Sequence, residues 1–180
     1  MPELREDGQV KLKNANIPAW NYNNMRENCM LDTIDRKLLA TLQRDAMLTA
    51  EALGAQIGLS PSQAARRRQR LEAAGIITGY RARLDPAAIG LSVQAFVQVQ
   101  MGTHSPEGAQ GFKRLLGALP EIVNAWTLTG EADYLLRVWC EDLGALNRLI
   151  HERLLPHPAV ARVQSQIVMD QLKQAAALPV

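Results

Sequence analysis

The chain has 180 residues, 47% of them apolar, 21% charged and only 4% aromatic, with 20 Lys and Arg against 18 Asp and Glu for a net charge of +2. This is the balance of an ordinary globular protein of one or two domains. It excludes a collagen-like or wholly disordered chain, and no apolar run approaches the roughly 18 residues of a membrane span. The opening MPELREDGQV carries acids and no apolar core, which predicts no secretory signal. Cys29 and Cys140 are the only cysteines. Two thiols make neither a disulfide framework nor a four-cysteine zinc site, so a cytoplasmic protein in a reducing compartment is expected.

The near-neutral total hides an asymmetry. Residues 1–30 hold four basic and four acidic side chains, residues 31–83 nine basic and five acidic, and residues 84–180 seven basic and nine acidic. A basic front half suggests an anionic partner for that half alone. Within residues 1–30, Asn14, Asn16, Asn21, Asn23, Asn24 and Asn28 surround Pro18, and no apolar period appears. Three readings stand side by side: a disordered tail, a mis-called start with translation beginning at Met25 or Met30, or an arm that docks on a partner through Trp20 and Tyr22.

From Asp32 the pattern becomes periodic. Ile34, Leu38, Leu39 and Leu42 recur at helical spacing, with Asp32 as the cap of a helix running to Asp45. A second helix is expected over Thr49–Ile57, with Glu51 in its first turn and Gly58 as a left-handed stop. Ser60 and Pro61 suit the N-cap and N1 of a third helix that reaches Ala73 or Ala74 and ends at Gly75. Ile76 and Ile77 lead into an expected short strand. Three helices, a tight turn between the last two and a following strand describe a winged helix-turn-helix.

At about 100° per residue, Ala64 and Leu71 of the third helix point to the core. Gln63, Arg66, Arg67 and Arg70 cluster on the opposite side, and Glu72 is the only nearby acid. Arg can fork to guanine, Gln can pair with adenine, and a spare Arg can neutralise phosphate. A solvated charged face is the plain alternative. The scarcity of acids and the position of the face on a helix-turn-helix favour double-stranded DNA, while the lack of stacking aromatics disfavours RNA. Ser60, Ser62, Gln63, Arg66, Arg67 and Arg70 are the candidate DNA contacts. Arg68 falls toward the core beside Ala64 and Leu71, where an unpaired guanidinium is costly. Its stem can snorkel past the helix edge, or an acid such as Asp35 can pair with it.

The back half alternates. In SVQAFVQVQM (Ser92–Met101), Val93, Ala95, Val97 and Val99 oppose Gln94, Gln98 and Gln100. A helix over Glu107–Leu119, strands over Ile122–Leu128 and Tyr134–Cys140, a helix over Asp142–Leu155 and a strand over Val160–Met169 follow. The order β-α-β-β-α-β is the ferredoxin-like pattern, an antiparallel sheet with both helices on one face. The fold class expected for the whole chain is therefore α+β. Trp126, Val138 and their neighbours cannot all lie beneath the helices, so a second copy is expected to cover the open face and form a homodimer.

Chemistry for catalysis is sparse. His151 and His157 are six residues apart and share no helix face as a zinc pair would, and His104 stands alone. Glu131 and Asp133 beside Tyr134 lack a nucleophile or phosphate loop. Cys140 reads as a packed thiol. No enzyme activity, metal or cofactor is expected.

Leu31-Asp32 with Ile34-Asp35, Leu59-Ser60-Pro61, Arg70-Leu71-Glu72, Gly75-Ile76, Gly79-Tyr80 and Asp85-Pro86 resemble the N-terminal half of the Lrp/AsnC family of bacterial and archaeal transcription regulators. LPEIVNAWTLTGEADYLLRV resembles the hairpin of that family's C-terminal regulatory, ACT-like domain, and the likeness covers residues 31–173. It implies a DNA-binding domain over 31–77, a hinge strand over 78–90 and a ligand-sensing and dimerisation domain over 91–173, leaving a tail over 1–30 that has no counterpart in the family and a short tail over 174–180. It further implies a homodimer able to assemble into octamers, with an amino-acid-like effector held between dimers near Thr129, Gly130 and Asp133. A glycine lets backbone approach a zwitterion, and a carboxylate pairs with an α-ammonium; a turn glycine and a hairpin-capping Asp are the alternative reading. Two departures stand out: Arg68 where the family is usually apolar, and Met47 where it commonly has Arg. A metabolite-sensing scaffold that no longer reads DNA is the competing function.

Overall fold

The computed structural model describes residues 31–103, 105–173 and 176–180. The asparagine-rich tail with Trp20, Tyr22, Met25, Cys29 and Met30, and also His104, lie outside the described residues. The chain divides into two compact units that meet in sequence between Tyr80 and Arg81, with Ala176–Val180 belonging to the first.

In the first unit, helix α1 (Thr33–Arg44) opens with a reciprocal cap: the Asp35 amide donates to Asp32 Oδ1 at 2.7 Å and the Asp32 amide to Asp35 Oδ2 at 3.3 Å. Helix α2 (Ala50–Ile57) is capped by Thr49 Oγ1 and ends at Gly58, whose φ of 77° is the left-handed stop. Helix α3 (Pro61–Ala73) starts from a second reciprocal cap between Ser60 and Gln63, with Pro61 in its first turn. Leu38, Leu39, Leu42, Leu53, Ile57, Ala64 and Leu71 form the buried core. The α2–α3 turn is closed by Gly54. A Cβ at that position would lie 2.6 Å from the Leu59 carbonyl oxygen, and the Leu59 amide donates back to the Gly54 carbonyl at 2.9 Å.

The strand expected after α3 does not form. The Ile76 and Ile77 amides both donate to the Leu71 carbonyl, at 3.0 and 3.2 Å, which spends them on ending the helix. Their half-buried side chains pack on the helical core instead. Residues 78–92 carry one 3₁₀ turn, Ala87–Ile89, and no strand.

In the second unit, strands β1 (Val93–Met101), β2 (Ile122–Thr127), β3 (Tyr134–Cys140) and β4 (Val160–Ile167) form one antiparallel sheet in the order β2-β3-β1-β4. Helix α4 (Pro106–Ala118) follows β1 and α5 (Leu143–Arg148) follows β3, giving the ferredoxin-like order. Helix α5 continues as π-helical turns over Leu149–Leu154, where the Leu155 amide reaches the Ile150 carbonyl. Leu149 and Leu154 are both buried. Five residues apart, they would diverge on an α-helix of 3.6 residues per turn, and the wider winding brings both inward.

The helix-facing side of the sheet carries Ala95, Val97, Val99 and Met101 from β1 and Leu136, Val138 and Cys140 from β3, packed on Phe112, Leu119, Leu146, Leu149 and Leu154. Val138 is fully buried there, so of the residues that could not all lie beneath the helices it is one that does. A residue two positions from Leu136 must share its face, and Leu136 lies under the helices. Trp126 does belong to the open face: it pairs with Leu135, whose neighbours Arg137 and Trp139 stand opposite Phe96 and Gln94. With its amide oxygen turned to Arg137, Gln94 accepts from Nε at 2.7 Å and from Nη2 at 3.0 Å. No described helix is long and apolar enough to cross a membrane.

Replacing Gly54 with Ala isolates the turn. Helix propensity alone favours Ala by about 1 kcal/mol. The backbone clash opposes this by about 1–3 kcal/mol. The expected result is a net loss of stability in urea unfolding followed by helical circular dichroism; a gain would refute the close approach.

Candidate nucleic-acid interface and ligand hairpin

Helix α3 holds four guanidiniums, and the fold sorts them. Arg66 is exposed and, among the described residues, has no hydrogen-bond or ion-pair partner. Arg67 Nη1 donates to Asp32 Oδ2 at 2.7 Å and to Asp35 Oδ1 at 2.8 Å. Arg70 Nη2 donates to Asp35 Oδ2 at 2.5 Å. Asp35 is 1% exposed, so α1 presents a buried carboxylate to two arginines of the candidate interface. The Asp35 amide and Arg67 together hold the Asp32 carboxyl below its usual pKa, and Asp32 with Asp35 pushes Arg67 up.

Arg68 does not pair with Asp35. It leaves the core edge and donates from Nε to Glu72 Oε1 at 3.1 Å and Tyr80 Oη at 3.0 Å, and from Nη1 to the Leu48 carbonyl at 3.4 Å. Its guanidinium also stands 4.7 Å from the Tyr80 ring centre. The Tyr80 hydroxyl donates to Glu72 Oε1 at 2.7 Å, and Tyr80 with Arg68 lowers the Glu72 pKa. Met47, in place of the family's usual Arg, is 88% exposed and brings no charge to this surface.

The remaining candidates lie at the start of α3. Ser60 Oγ accepts the Gln63 amide at 3.3 Å, and Gln63 Oε1 accepts from the Ser60 amide at 3.1 Å and its hydroxyl at 3.0 Å. The amide oxygen that a two-point contact with adenine needs is thus turned to the helix cap, and the Gln63 amide nitrogen has no hydrogen-bond partner among the described residues. Ser62 is exposed, 3.2 Å from Ser60 Oγ.

In the second unit, Thr129 and Gly130 sit exposed on the β2–β3 connection, and Gly130 has a φ of 127° that favours glycine. Asp133 ties this hairpin to the end of β1. Its Oδ2 accepts the Met101 amide at 2.7 Å, its amide donates to the Val99 carbonyl at 3.0 Å, and its carbonyl accepts the Leu128 amide at 2.8 Å. A hollow of about 50 Å³ beside it is lined by Gln98, Gln100, Glu131, Ala132, Arg162 and Gln164. That is far below the roughly 300 Å³ at which ligand pockets begin. Glu131 reaches Arg162 at 3.7 Å. Cys140 is buried, and burial, then Glu121 and Asp142, raises its thiol pKa, as suits a packed rather than reactive sulfur.

Sequence reasoning missed one residue that shapes these sites and gave another the wrong partner. Gly54 looked like an ordinary helix position. Asp35 was offered as a partner for Arg68, whereas it pairs with Arg67 and Arg70; it shares a face with Leu38, Leu39 and Leu42, where a carboxylate needs a cationic partner.

The Asp133 clamp makes a stability prediction. Asp133→Ala should cost about 1–2 kcal/mol through the lost charged hydrogen bond, whereas Asp133→Asn keeps an acceptor for Met101 and should cost clearly less. Thermal unfolding of the two variants side by side measures the difference; equal losses would overturn the clamp.

The comparisons with known proteins agree with this layout. A model of the AsnC-type helix-turn-helix domain matches residues 31–72, and a model of the Lrp/AsnC ligand binding domain matches residues 94–178. The DNA-binding transcriptional activator DecR of Escherichia coli K12 is 38% identical over 151 residues, 84% of this chain and 99% of that protein. The leucine-responsive regulatory protein of Salmonella typhimurium is 34% identical over 145 residues, 81% of this chain and 88% of that protein. Among solved structures, a transcriptional regulator of Neisseria meningitidis in complex with L-Met superimposes with a TM-score of 0.80 at 35% identity, covering 83% of this chain and 97% of that one. An AsnC family regulator from Agrobacterium tumefaciens gives 0.76 at 34% identity, covering 82% and 96%. With both domains matched in order and relatives covered nearly end to end, the chain belongs to the Lrp/AsnC family of transcriptional regulators.

Proposed function

We propose that this protein is a sequence-specific DNA-binding transcriptional regulator, cytoplasmic and without enzymatic activity, tuned by an amino acid or related small metabolite. The observation that carries the reading is Arg66, an exposed guanidinium without a partner among the described residues, on the second helix of a tight helix-turn-helix. It can fork to a guanine edge or a phosphate, with Ser62 and the Gln63 amide nitrogen as neighbouring donors. Its relatives include the activator DecR and the leucine-responsive regulatory protein, and one structural neighbour was solved with L-Met.

The ligand residues would be Thr129, Gly130 and Asp133. The small hollow beside them supports a site completed by another chain, as an assembly of dimers into octamers would provide. The open sheet face, with Phe96, Leu135, Trp139 and a 44% exposed Trp126, supports a homodimer formed through that face. Two such chains would present their α3 helices to major grooves about one turn, roughly 34 Å, or a multiple of it, apart.

One observation favours the second reading, a metabolite-sensing scaffold that does not read DNA: Arg67 and Arg70 are both engaged by Asp35. Fluorescence anisotropy with duplex from upstream of the protein's own gene separates the two. The regulator should bind it better than random duplex. Arg66→Ala should weaken binding and flatten the log K against log salt slope by roughly 0.9 for each phosphate contact removed. Absence of duplex binding at low salt leaves the scaffold. For the effector, a thermal-shift screen of the twenty amino acids should find one that raises the melting temperature. A ligand at 100 times its Kd adds about 2.7 kcal/mol. Asp133→Asn should abolish that shift while sparing DNA binding; a screen with no shift sinks amino-acid sensing.

A further inference from the structure

Asp35 is the one buried carboxylate of the described residues, and its environment is unusual for a helix N-terminus. One oxygen takes Arg67; the other takes Arg70 and the Asp32 amide. Arg67 is further shared with Asp32. The geometry points to Asp35 as a positioning residue for DNA selectivity: it clamps Arg67 and Arg70 against α1 and withholds both from phosphate, so that Arg66 alone on this helix meets the duplex as a free guanidinium. This rests on the DNA-binding reading above.

The argument is one of competition. A phosphate offers Arg70, whose side chain is 53% exposed, a pairing in water. Asp35 offers it a pairing whose loss would strand a buried charge. The clamp therefore wins unless the carboxylate is neutralised. Phosphate contacts raise affinity for every sequence alike, whereas base contacts discriminate. A helix with four freely mobile guanidiniums would bind duplex of any sequence. Three of the four here have acidic partners from Asp32, Asp35 and Glu72, and those on Asp35 come from a different helix, which also fixes the rotation of α3 about its axis. Asp35 thus acts twice, by removing Arg67 and Arg70 from the sequence-blind term and by aiming Arg66.

The test measures full-length wild type and Asp35→Asn on operator and random duplex across a salt series. Asparagine retains an acceptor for the Asp32 amide but loses the charge. The expected D35N result is a steeper salt slope, by roughly 0.9 for each guanidinium released to phosphate, with tighter random-duplex binding at low salt and a several-fold lower operator-to-random ratio. Adding Arg67→Ala and Arg70→Ala to D35N should return the slope to the wild-type value. A D35N protein that loses affinity for both duplexes in parallel at unchanged slope shows Asp35 to be structural only and overturns the inference. So does a triple variant with a slope shallower than wild type, which would mean that Arg67 or Arg70 contacts phosphate natively. Should D35N fail to fold by circular dichroism, the triple variant, with no stranded guanidinium, still decides. Wild type that binds no duplex refutes the regulator reading itself, a result distinct from either.

Discussion

The first domain turns on a single buried carboxylate. Its apolar core is small, seven buried side chains, of which only Ala64 and Leu71 come from α3. Apolar contacts that few hold a helix against its neighbours but do little to stop it rolling. Asp35 stops the roll. Two guanidiniums on successive turns of α3 converge on its two oxygens, and a planar donor meeting a planar acceptor has directional preferences that methyl groups lack. Burying that charge costs desolvation, and the cost is offset only because three donors surround it. The hub therefore exchanges some stability for a defined orientation, and orientation is what a groove-reading helix requires.

The same helix wheel explains why the four arginines differ. With the core between Ala64 and Leu71, Arg67 and Arg68 flank it on opposite sides by about 50°, and Arg66 lies nearly opposite. Each flanking arginine finds a partner at its own border: Arg67 the acids of α1, Arg68 the Leu48 carbonyl, Glu72 and the Tyr80 ring. The sequence wheel placed Arg68 toward the core because it treats a helix as isolated. In the fold, the chain leaving α3 supplies Tyr80 at that border, and a cation that would be costly in a core is satisfied at its edge. On that wheel Arg67 stands as near the core as Arg68, so its grouping with Arg66 and Arg70 on the opposite side misplaced it by angle; the wheel by itself also names no neighbouring acid. That information was in the sequence nonetheless. A carboxylate three, four and seven residues from Leu38, Leu39 and Leu42 lies on a buried stripe and implies a partner.

The second domain was more legible, because alternation in a sheet declares its faces directly. The valines of β1 and the glutamines between them fall where the period of two puts them. The order of elements follows from residue types at fixed spacings. Two kinds of feature did not. Trp126 and Val138 were grouped without a face for each, and counting two residues on from the buried Leu136 puts Val138 beneath the helices. Gly54 and the strand expected after α3 depend on backbone packing that no spacing reveals: one is a close approach between helix and turn, the other a pair of amides already taken by Leu71. The ordering of the π-helical turns after α5 was equally hidden, although Leu149 and Leu154 at a spacing of five were its trace.

Asp133 extends the logic of Asp35 to the other domain. A carboxylate proposed for ligand binding also accepts the Met101 amide, so a cationic group that approaches it must share or weaken that bond. Met101 is the residue at which the β1–β4 register shifts. A bulge is the place in a sheet where a strand end is held by few ladder bonds. A ligand drawing on Asp133 would therefore act on the least constrained point of the central strand, next to the turn that leads into α4. Binding at a surface hairpin then needs no pocket of its own to be felt in the sheet. Were Asp133 to hold the ligand as proposed, the coupling would run through this one hydrogen bond of 2.7 Å, whose acceptor the fold already uses.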